Sequence, residues 1–559
     1  MKRREFGRRA LRIAASLGMT SISLSRLSAF SLLGACSESS GSSASDASGS
    51  PDAGALPDTS KSKVSALIIG TGYGAAVTAL RLTGAGFSVT MLEAGRLWDT
   101  PGPDGTIFCK PFQPDGRAMW FEGNTETNFK SFLGHDVQMS VPVEAGVLEA
   151  RGPQEMRAYQ GKGVGGGSLV NMAIYLPPDS ERLRRALPMV DQDSFYNKYM
   201  PRALATLVDG APSQRLIDSE FYQYSRVGIA FAEKAGFKSM GLRGGYDYAY
   251  MEQELDDTVP RSALGGEAGF GNNHGKKSLD KTYLAEALGT GRLTIHALHV
   301  VKRIKQNPSG GYVVEVDNID TKGVVIEAKQ FTCTHLFVGA GSMATSELLV
   351  RARERGDLPN LNASVGTKWG PNGDIFVALD NPETSPTGAH QSTVPSHYFV
   401  TKDAADRQVV SEFAPLPVGI PIVQSLIIVV ADNPEAGYFK YDASTDAVNL
   451  VWSRSQNAPS VAAAKFVFDK INSSAGTNYS TVVAFQDNAL FGDTVTYHPV
   501  GGVPLGEATD AYGRIAGHAG LYVVDGSLIP IGIGANPSLT ITSLAERNIE
   551  QVLATDLAG

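Results

Sequence analysis

Residues 64–95, VSALIIGTGYGAAVTALRLTGAGFSVTMLEAG, constrain the chain more than any other stretch. Ala66–Ile69 is an apolar run of strand length. Gly70, Gly72 and Ala75 follow at G-x-G-x-x-A spacing, with Tyr73 and Gly74 inside the loop, and a helical pattern continues through Ala76, Val77 and Leu80. A second apolar run, Val89–Leu92, ends in Glu93, about twenty residues beyond the glycines. Strand, turn, helix, strand and acid in this order predict a βαβ unit that holds a dinucleotide. Gly70 permits the tight turn, Gly72 lets a pyrophosphate approach the backbone, and Ala75 is small enough for helix to pack on strand. The helix N-terminus faces the phosphates, and Glu93 can accept from the adenosine ribose hydroxyls. A glycine-rich turn without a ligand is the alternative for the loop alone, and the flanking elements argue against it. The loop does not separate a flavin from a nicotinamide dinucleotide.

At 559 residues the chain is too long for one simple core, which predicts two domains. Residues 1–35 carry seven Lys and Arg and one acid, a net of +6, so a total of −8 leaves −14 for the rest. An acidic body of this kind argues against nucleic acid as a partner. Three cysteines, Cys36, Cys109 and Cys333, make neither a disulfide framework nor a metal cluster. Cys109 and Cys333 read as buried apolar residues, and no metal site is expected.

Residues 1–36 read as an export signal. Lys2–Arg9 is basic, Arg3-Arg4-Glu5-Phe6 resembles the twin-arginine signature, and Leu33-Gly34-Ala35-Cys36 resembles a lipoprotein box. A disordered basic tail is the alternative. A twin-arginine route exports folded protein, so a flavin could be loaded before export, and lipidation of Cys36 would anchor the protein by acyl chains. Ser37–Lys63, rich in Ser, Gly, Asp and Ala, reads as a flexible tether, and the folded body is expected to begin near Val64. No other run approaches the roughly 20 apolar residues that span a bilayer.

After the βαβ unit, Gly161–Asn171 (GKGVGGGSLVN) packs five glycines into seven residues, including Gly163 and Gly167. Such a loop lies against protein backbone or forms a cofactor rim, with Ser168 and Asn171 supplying side-chain hydrogen bonds. Ser278–Leu288 reads as a helix, and Leu293–Ile304 and Gly311–Asp317 as strands. Leu336–Ala352 is a second strand–glycine turn–helix unit, with Gly339 and Gly341 at the turn. This return to a nucleotide-binding pattern favours a flavoprotein with an inserted substrate domain. Residues 356–488 are strand-rich, with apolar runs at Ile422–Val430 and Thr481–Phe485, and suit an antiparallel sheet that walls a pocket. Leu521–Asp525 reads as a strand. Ile541, Leu544, Ala545, Ile549 and Val552 share one helical face, with Pro537 in the first turn and Asn536 at the cap.

Taken together, GTGYGAAVTALRL, PGPDGTIFC, GVGGGSLVN, GNNHGKKSLDKTYL, GAGSMATSELLVRAR, WGPNG, YHPVGG and VVDGSLIP…NPS…AERN resemble the glucose–methanol–choline oxidoreductase family, and within it the bacterial cholesterol oxidases that bind FAD non-covalently. The resemblance covers essentially all of residues 64–559. It implies an α/β protein, α+β overall, whose Rossmann-like FAD-binding domain is split over 64–100, 275–365 and 492–559. A substrate domain over 101–274 and 366–491, a mainly antiparallel sheet plus helices, roofs the flavin. Cofactor contacts are implied at Gly70, Gly72, Tyr73, Gly74, Ala75, Glu93, Gly163, Gly167, Ser168, Asn171, Val301, Gly339, Gly341, Asp525, Gly526, Asn536 and Pro537. The implied reaction oxidises a 3β-hydroxysteroid taken from membranes to the ketone, reduces O2 to peroxide, and moves the ring double bond into conjugation. The family's histidine, asparagine and glutamate fall on His498, Asn536 and Glu412. A monomer, exported and then anchored or secreted, is implied.

These three residues also suit alcohol oxidation on their own chemistry. The flavin takes the hydride, and the protein supplies orientation and acid–base groups. His498, fixed in a Pro/Gly-rich loop, can bind the hydroxyl and accept its proton. Asn536 can hold the hydroxyl oxygen or cap a helix. Glu412, between Val409-Val410 and Phe413-Ala414, is either turned to solvent or held in an apolar pocket, where burial would raise its affinity for protons. The chain departs from the family's usual pattern at Ser538, Met172-Ala173 and Val410. Another alcohol, an acceptor other than oxygen, and a sterol-binding lipoprotein without catalysis are the alternatives.

Overall fold

The computed structural model describes residues 61–126, 129–132 and 134–558. The signal, Cys36 and most of the expected tether lie outside the described residues. The chain enters its first sheet with β1 (Lys61–Ile69), crosses through helix α1 (Tyr73–Gly84) and returns as β2 (Val89–Leu92). β1 starts before the expected boundary: Lys61, Ser62, Lys63 and Val64 pair with Gln330, Phe331, Thr332 and Cys333. A long partner strand supplies the free backbone groups that draw these polar residues into the ladder.

Much later the same sheet gains β3 (Leu293–His296), β4 (His299–Gln306), β5 (Tyr312–Ile319) and β6 (Val325–Val338), followed by helix α2 (Ser342–Glu354). The single strand expected over Leu293–Ile304 breaks at Leu298, whose φ is 57°. There the N–H groups of Leu298 and His299 leave the ladder for the carbonyls of Gly95 and Glu93. The helix expected over Ser278–Leu288 is likewise split, into a 3-10 turn at Leu279–Lys281 and a helix at Tyr283–Gly289.

The second sheet follows, as β7 (Asp374–Asp380), β8 (His397–Lys402), β9 (Gln408–Ala414) and β10 (Gln424–Ala431). Helix α3 (Ala458–Ala475) then interrupts what reads as a strand-rich region. Its buried stripe of Ala463, Ala464, Val467, Phe468 and Ile471 has helical spacing that the alanine-rich sequence carries without strong amphipathic contrast. β11 (Leu521–Val523), shorter than the expected Leu521–Asp525, and helix α4 (Ser538–Thr555) return the chain to the first sheet.

In the first sheet the order is β3-β2-β1-β6-β5-β4, and β11 pairs with the end of β6. β3, β2, β1, β6 and β11 run parallel, and β5 and β4 are antiparallel additions. The order reverses at β1, so the crevice opens beyond the C-terminal ends of β1 and β6. The second sheet is antiparallel, in the order β7-β10-β9-β8, with short strands at Asn478–Tyr479 and Ser239–Gly241 on its edges. Alternation divides its two faces. Ile375, Val377, Phe413, Ile427 and Val429 pack under α3, and Phe376, Leu426 and Ile428 face the other way.

Gly70, Gly339 and Val524 follow the ends of β1, β6 and β11, and these three turns touch. Gly70 donates to Leu92 at 2.8 Å, Gly339 to Ile69 at 2.8 Å and Val524 to Val338 at 3.0 Å. A Cβ on Gly74 would strike the Val524 carbonyl, whereas one on Gly72 would meet no protein atom within 4 Å. Gly74→Ala therefore forces the first helix off its neighbour, while Gly72→Ala leaves the packing intact. The expected outcome is a loss of about 3 kcal/mol or more for Gly74→Ala, the scale of serious overpacking, and a melting temperature near wild type for Gly72→Ala. Thermal denaturation of both variants checks this.

Candidate active site

One continuous cavity of about 1370 Å³ connects the two sheets. This exceeds the roughly 300–1,000 Å³ of a pocket for one small ligand, so it has room for a cofactor and a substrate. Its nucleotide end is lined by Gly70, Gly72, Tyr73, Gly74, Glu93, Val301, Gly339 and Gly341, and its other end by Phe376, Glu412, Ile428, Tyr497 and His498. Gly167, Asn171, Asp525, Gly526, Asn536 and Pro537 line it as well.

The nucleotide end fits a dinucleotide. The first turn of α1 has no side-chain cap and no acid, so its N–H groups remain for an anion. Cβ atoms on Gly72 and Gly167 would project into open space at the cavity wall. Glu93 is buried and takes hydrogen bonds from Thr71 Oγ1 at 2.6 Å and the Gly95 amide at 2.8 Å. Burial raises its pKa against the lowering effect of those bonds. Asp525 lines the cavity and also has a structural part. Its carboxylate already accepts from the Gly341 amide (2.8 Å), Thr345 Oγ1 (2.5 Å) and both the amide and hydroxyl of Ser527, so it ties two turns together.

Three expected contacts do not line the cavity: Ala75, Gly163 and Ser168. Ala75 is fully buried where a Cβ on Gly339 would press on its methyl group. Gly163 packs under Trp98 and beside Gly95. The Ser168 hydroxyl donates to the Gly165 carbonyl (2.7 Å) and accepts from the Leu279 amide (2.9 Å). Ala75 packs the first helix and Gly163 and Ser168 pack the glycine loop, whose cavity surface is made by Gly161, Lys162, Gly166, Gly167, Val170 and Asn171. Asn171 donates to Tyr73 Oη at 2.7 Å. Beneath it, the buried Lys276 ammonium donates to the carbonyls of Leu169 and Asn171. Burial pushes its pKa down. Lys276 stands in the GNNHGKKSLDKTYL segment and carries no local sign of this role.

At the other end, the register of the second sheet aligns Tyr398, Glu412, Ile428 and Phe376 across four strands. Glu412 therefore shares the cavity face with Phe376 and Ile428. It is 1% exposed, and neither carboxylate oxygen has a hydrogen-bond partner. Burial raises its pKa to about 7, with His498 and Asn536 pulling it down and Asp374 adding to the rise. Asn536 Nδ2 lies 3.4 Å from His498 Nε2. Asn536 is not the cap of α4; Pro537 holds that position, and the amide turns to the imidazole. The apolar stripe of α4 is buried as its spacing requires, with half-buried Ile541 reaching the cavity.

Asp374, at the start of β7, is the residue that reading the sequence missed. It is 1% exposed, and its Oδ1 accepts from His498 Nδ1 at 2.7 Å. Its Oδ2 accepts from Thr496 Oγ1 (2.8 Å) and the Tyr497 amide (3.0 Å). Two positions earlier, Asn372 donates to the Ala535 carbonyl at 2.8 Å and accepts from the Ile533 amide at 3.0 Å. One short turn thus sets both the histidine and the loop that carries Asn536. Its only sequence signal is adjacency to WGPNG. For His498, burial favours the neutral ring, but the charge and hydrogen bond of Asp374, with Glu412 behind, outweigh it and raise the pKa.

Comparison with known proteins gives a consistent picture. Family models described as GMC oxidoreductase match residues 67–353 and 438–545, and one described as GMC oxidoreductase, C-terminal, matches residues 372–485. A cholesterol oxidase of Acinetobacter baumannii is 25% identical over 87% of this chain and 94% of its own length. A cholesterol oxidase of Mycobacterium tuberculosis is 25% identical over 87% of this chain and 90% of its own. Among solved structures, an FAD-dependent oxidoreductase from Chaetomium thermophilum aligns with a TM-score of 0.61 at 13% identity, over 88% of this chain and 100% of that one. A fungal aryl-alcohol oxidase aligns with a TM-score of 0.58 at 13% identity, over 88% and 99%. At such identity the structural likeness is one of fold.

The unpartnered Glu412 carboxyl makes a linkage prediction. Its folded pKa is raised, so the unfolded chain loses this proton first as pH rises. The penalty on folding is absent below the ordinary carboxylate range, grows between about 4.5 and 7, and is complete above 7. Glu412→Gln removes it. The variant should gain about 2–3 kcal/mol over wild type at pH 8, and less than about half of that at pH 5. Denaturant unfolding of both proteins at the two pH values measures the difference.

Proposed function

The chain belongs to the GMC oxidoreductase family, and from that premise we propose that it is a sterol oxidase, oxidising a 3β-hydroxysteroid with O2 as acceptor and isomerising the product. As a member of the family it is an FAD-dependent oxidoreductase that holds its cofactor non-covalently. The observation that carries the finer reading is the composition of the substrate end. Phe376, Leu426, Ile428 and Val483 make an apolar wall, and the polar groups gathered at its flavin-side end are His498, Asn536 and Glu412. A large apolar alcohol with one hydroxyl matches that distribution. The cholesterol oxidase relatives support the same choice.

FAD, held by the glycine turns at the nucleotide end, would supply the hydride acceptor for the alcohol carbon. The residues do the rest. His498 Nε2 accepts the hydroxyl proton, and the Asn536 amide donates to the hydroxyl oxygen, replacing its long contact with the imidazole. Glu412 lies within reach of the same end and, unbonded, can move a proton from one side of the new carbonyl to the far end of the double bond. A pKa of about 7 suits a group that must both take and return a proton. At the rim of the cavity Phe112 is 59% exposed, which suits uptake of an apolar substrate from a membrane. Export by the twin-arginine route, with Cys36 as anchor, completes the reading from sequence alone.

Acid precipitation of the purified protein should leave the flavin in the supernatant; flavin in the pellet would contradict non-covalent binding. With cholesterol, wild type should release the conjugated 4-en-3-one. Glu412→Gln should still oxidise the alcohol but release the unconjugated 5-en-3-one. The wild-type isomerisation rate should rise with pH up to about 7 and level off above it, since Glu412 acts as the base only when ionised. Enone absorbance and chromatography read both results. Conjugated ketone from Glu412→Gln at the wild-type rate would remove Glu412 from the isomerisation step.

A further inference from the structure

We propose that Asp374 is a positioning residue that sets His498 as a proton acceptor at Nε2; the inference rests on the role given to His498 above. An ionised Asp only accepts hydrogen bonds, so the 2.7 Å contact with His498 Nδ1 requires the proton on Nδ1. The neutral ring then carries its lone pair on Nε2. That nitrogen is the one that meets the Asn536 amide at 3.4 Å and borders the cavity.

The surrounding bonds hold the Asp374 carboxylate in this orientation. Thr496 Oγ1 and the Tyr497 amide both point donors at its other oxygen. Thr496 Oγ1 also receives the His498 amide at 2.9 Å, so the backbone of the histidine is held by the same group that holds the carboxylate. The charged groups facing the imidazole are Asp374 from β7 and Glu412 from β9, with Asn536 from the loop before α4 as a neutral neighbour. In the oxidation His498 Nε2 would take the O–H proton while bound FAD would supply the acceptor for the C–H hydride, leaving a carbonyl. The imidazolium that forms is flanked by Asp374 and Glu412, which favour its charge.

Asp374→Asn tests this in the FAD-loaded enzyme. The amide keeps the size of the carboxylate but can turn a donor toward Nδ1, which places the ring proton on Nε2. Flavin reduction by cholesterol without oxygen should slow by about 10²–10⁴-fold, the range of a positioned base, with FAD content unchanged. The rate rises with pH as His498 loses its proton. Removing the Asp374 charge should move that rise to lower pH, a shift that a purely structural role would not produce. Reduction at the wild-type rate with the same pH profile overturns the proposal. A second readout requires neither turnover nor the variant. The 15N spectrum of histidine-labelled wild-type holoenzyme, assigned against His498→Ala and followed upward in pH until the ring is neutral, should show the neutral form with Nδ1 protonated and Nε2 bare. A neutral ring with its proton on Nε2 overturns the proposal. If cholesterol fails to reduce the wild-type flavin, the substrate reading fails, and the 15N spectrum still decides the role of Asp374.

Discussion

The chemistry of this protein depends on the turn that opens β7. Within three residues it presents Asn372 to the 533–535 loop and Asp374 to His498. Asn372 itself sits at a φ of 56°, and a Cβ on the following Gly373 would collide with the Ala431 carbonyl. The turn is therefore clamped against β10 on one side while it holds two active-site segments on the other. A rigid element of the second sheet thereby sets the position of groups that come from the last 70 residues of the chain. Catalytic geometry is sensitive to small displacements, and buried, mutually bonded polar groups are the means by which a fold suppresses them.

Around that turn two buried carboxyl groups and one imidazole come together at the cavity wall. Asp374 is satisfied by hydrogen bonds from the imidazole, Thr496 and Tyr497, whereas Glu412 has none. The two carboxyl groups therefore differ in surroundings: Asp374 is held by three donors, and burial raises the pKa of Glu412 to about 7. An unpaired buried carboxyl costs stability, and one at a cavity wall is a candidate functional group.

Much of this was legible in the sequence, for a reason that differs from place to place. The βαβ unit was readable because each of its parts is local and obeys fixed spacing, and the same holds for the turn at Gly339. Glu412 was readable as a charge among apolar neighbours, an anomaly that a strand with a two-residue period resolves by turning it to the cavity. What stayed hidden was what depends on pairing across distance. Asp374 lies 124 residues from His498, and no local pattern connects them. Ser168 and Gly163 look like a cofactor rim because glycine-rich backbone approaches a ligand and other backbone in the same way. Asn536 looks like a helix cap because the residue before Pro often is one; here Pro537 takes the cap position and the Asn536 Nδ2 faces a histidine from another segment. Helix α3 escaped because two of the five residues in its buried stripe are alanine and the stripe contrasts little with its exposed face.

The central claim is that the cofactor end and the His498 end of this cavity meet, so that the protein removes a hydride from a sterol alcohol. Single-turnover flavin absorbance without oxygen tests it, with cholesterol and with cholesterol deuterated at the carbinol carbon. The account predicts loss of the oxidised flavin band with both, slower for the deuterated alcohol because breaking the C–H bond limits the step. A flavin that stays oxidised under an excess of either substrate would contradict it.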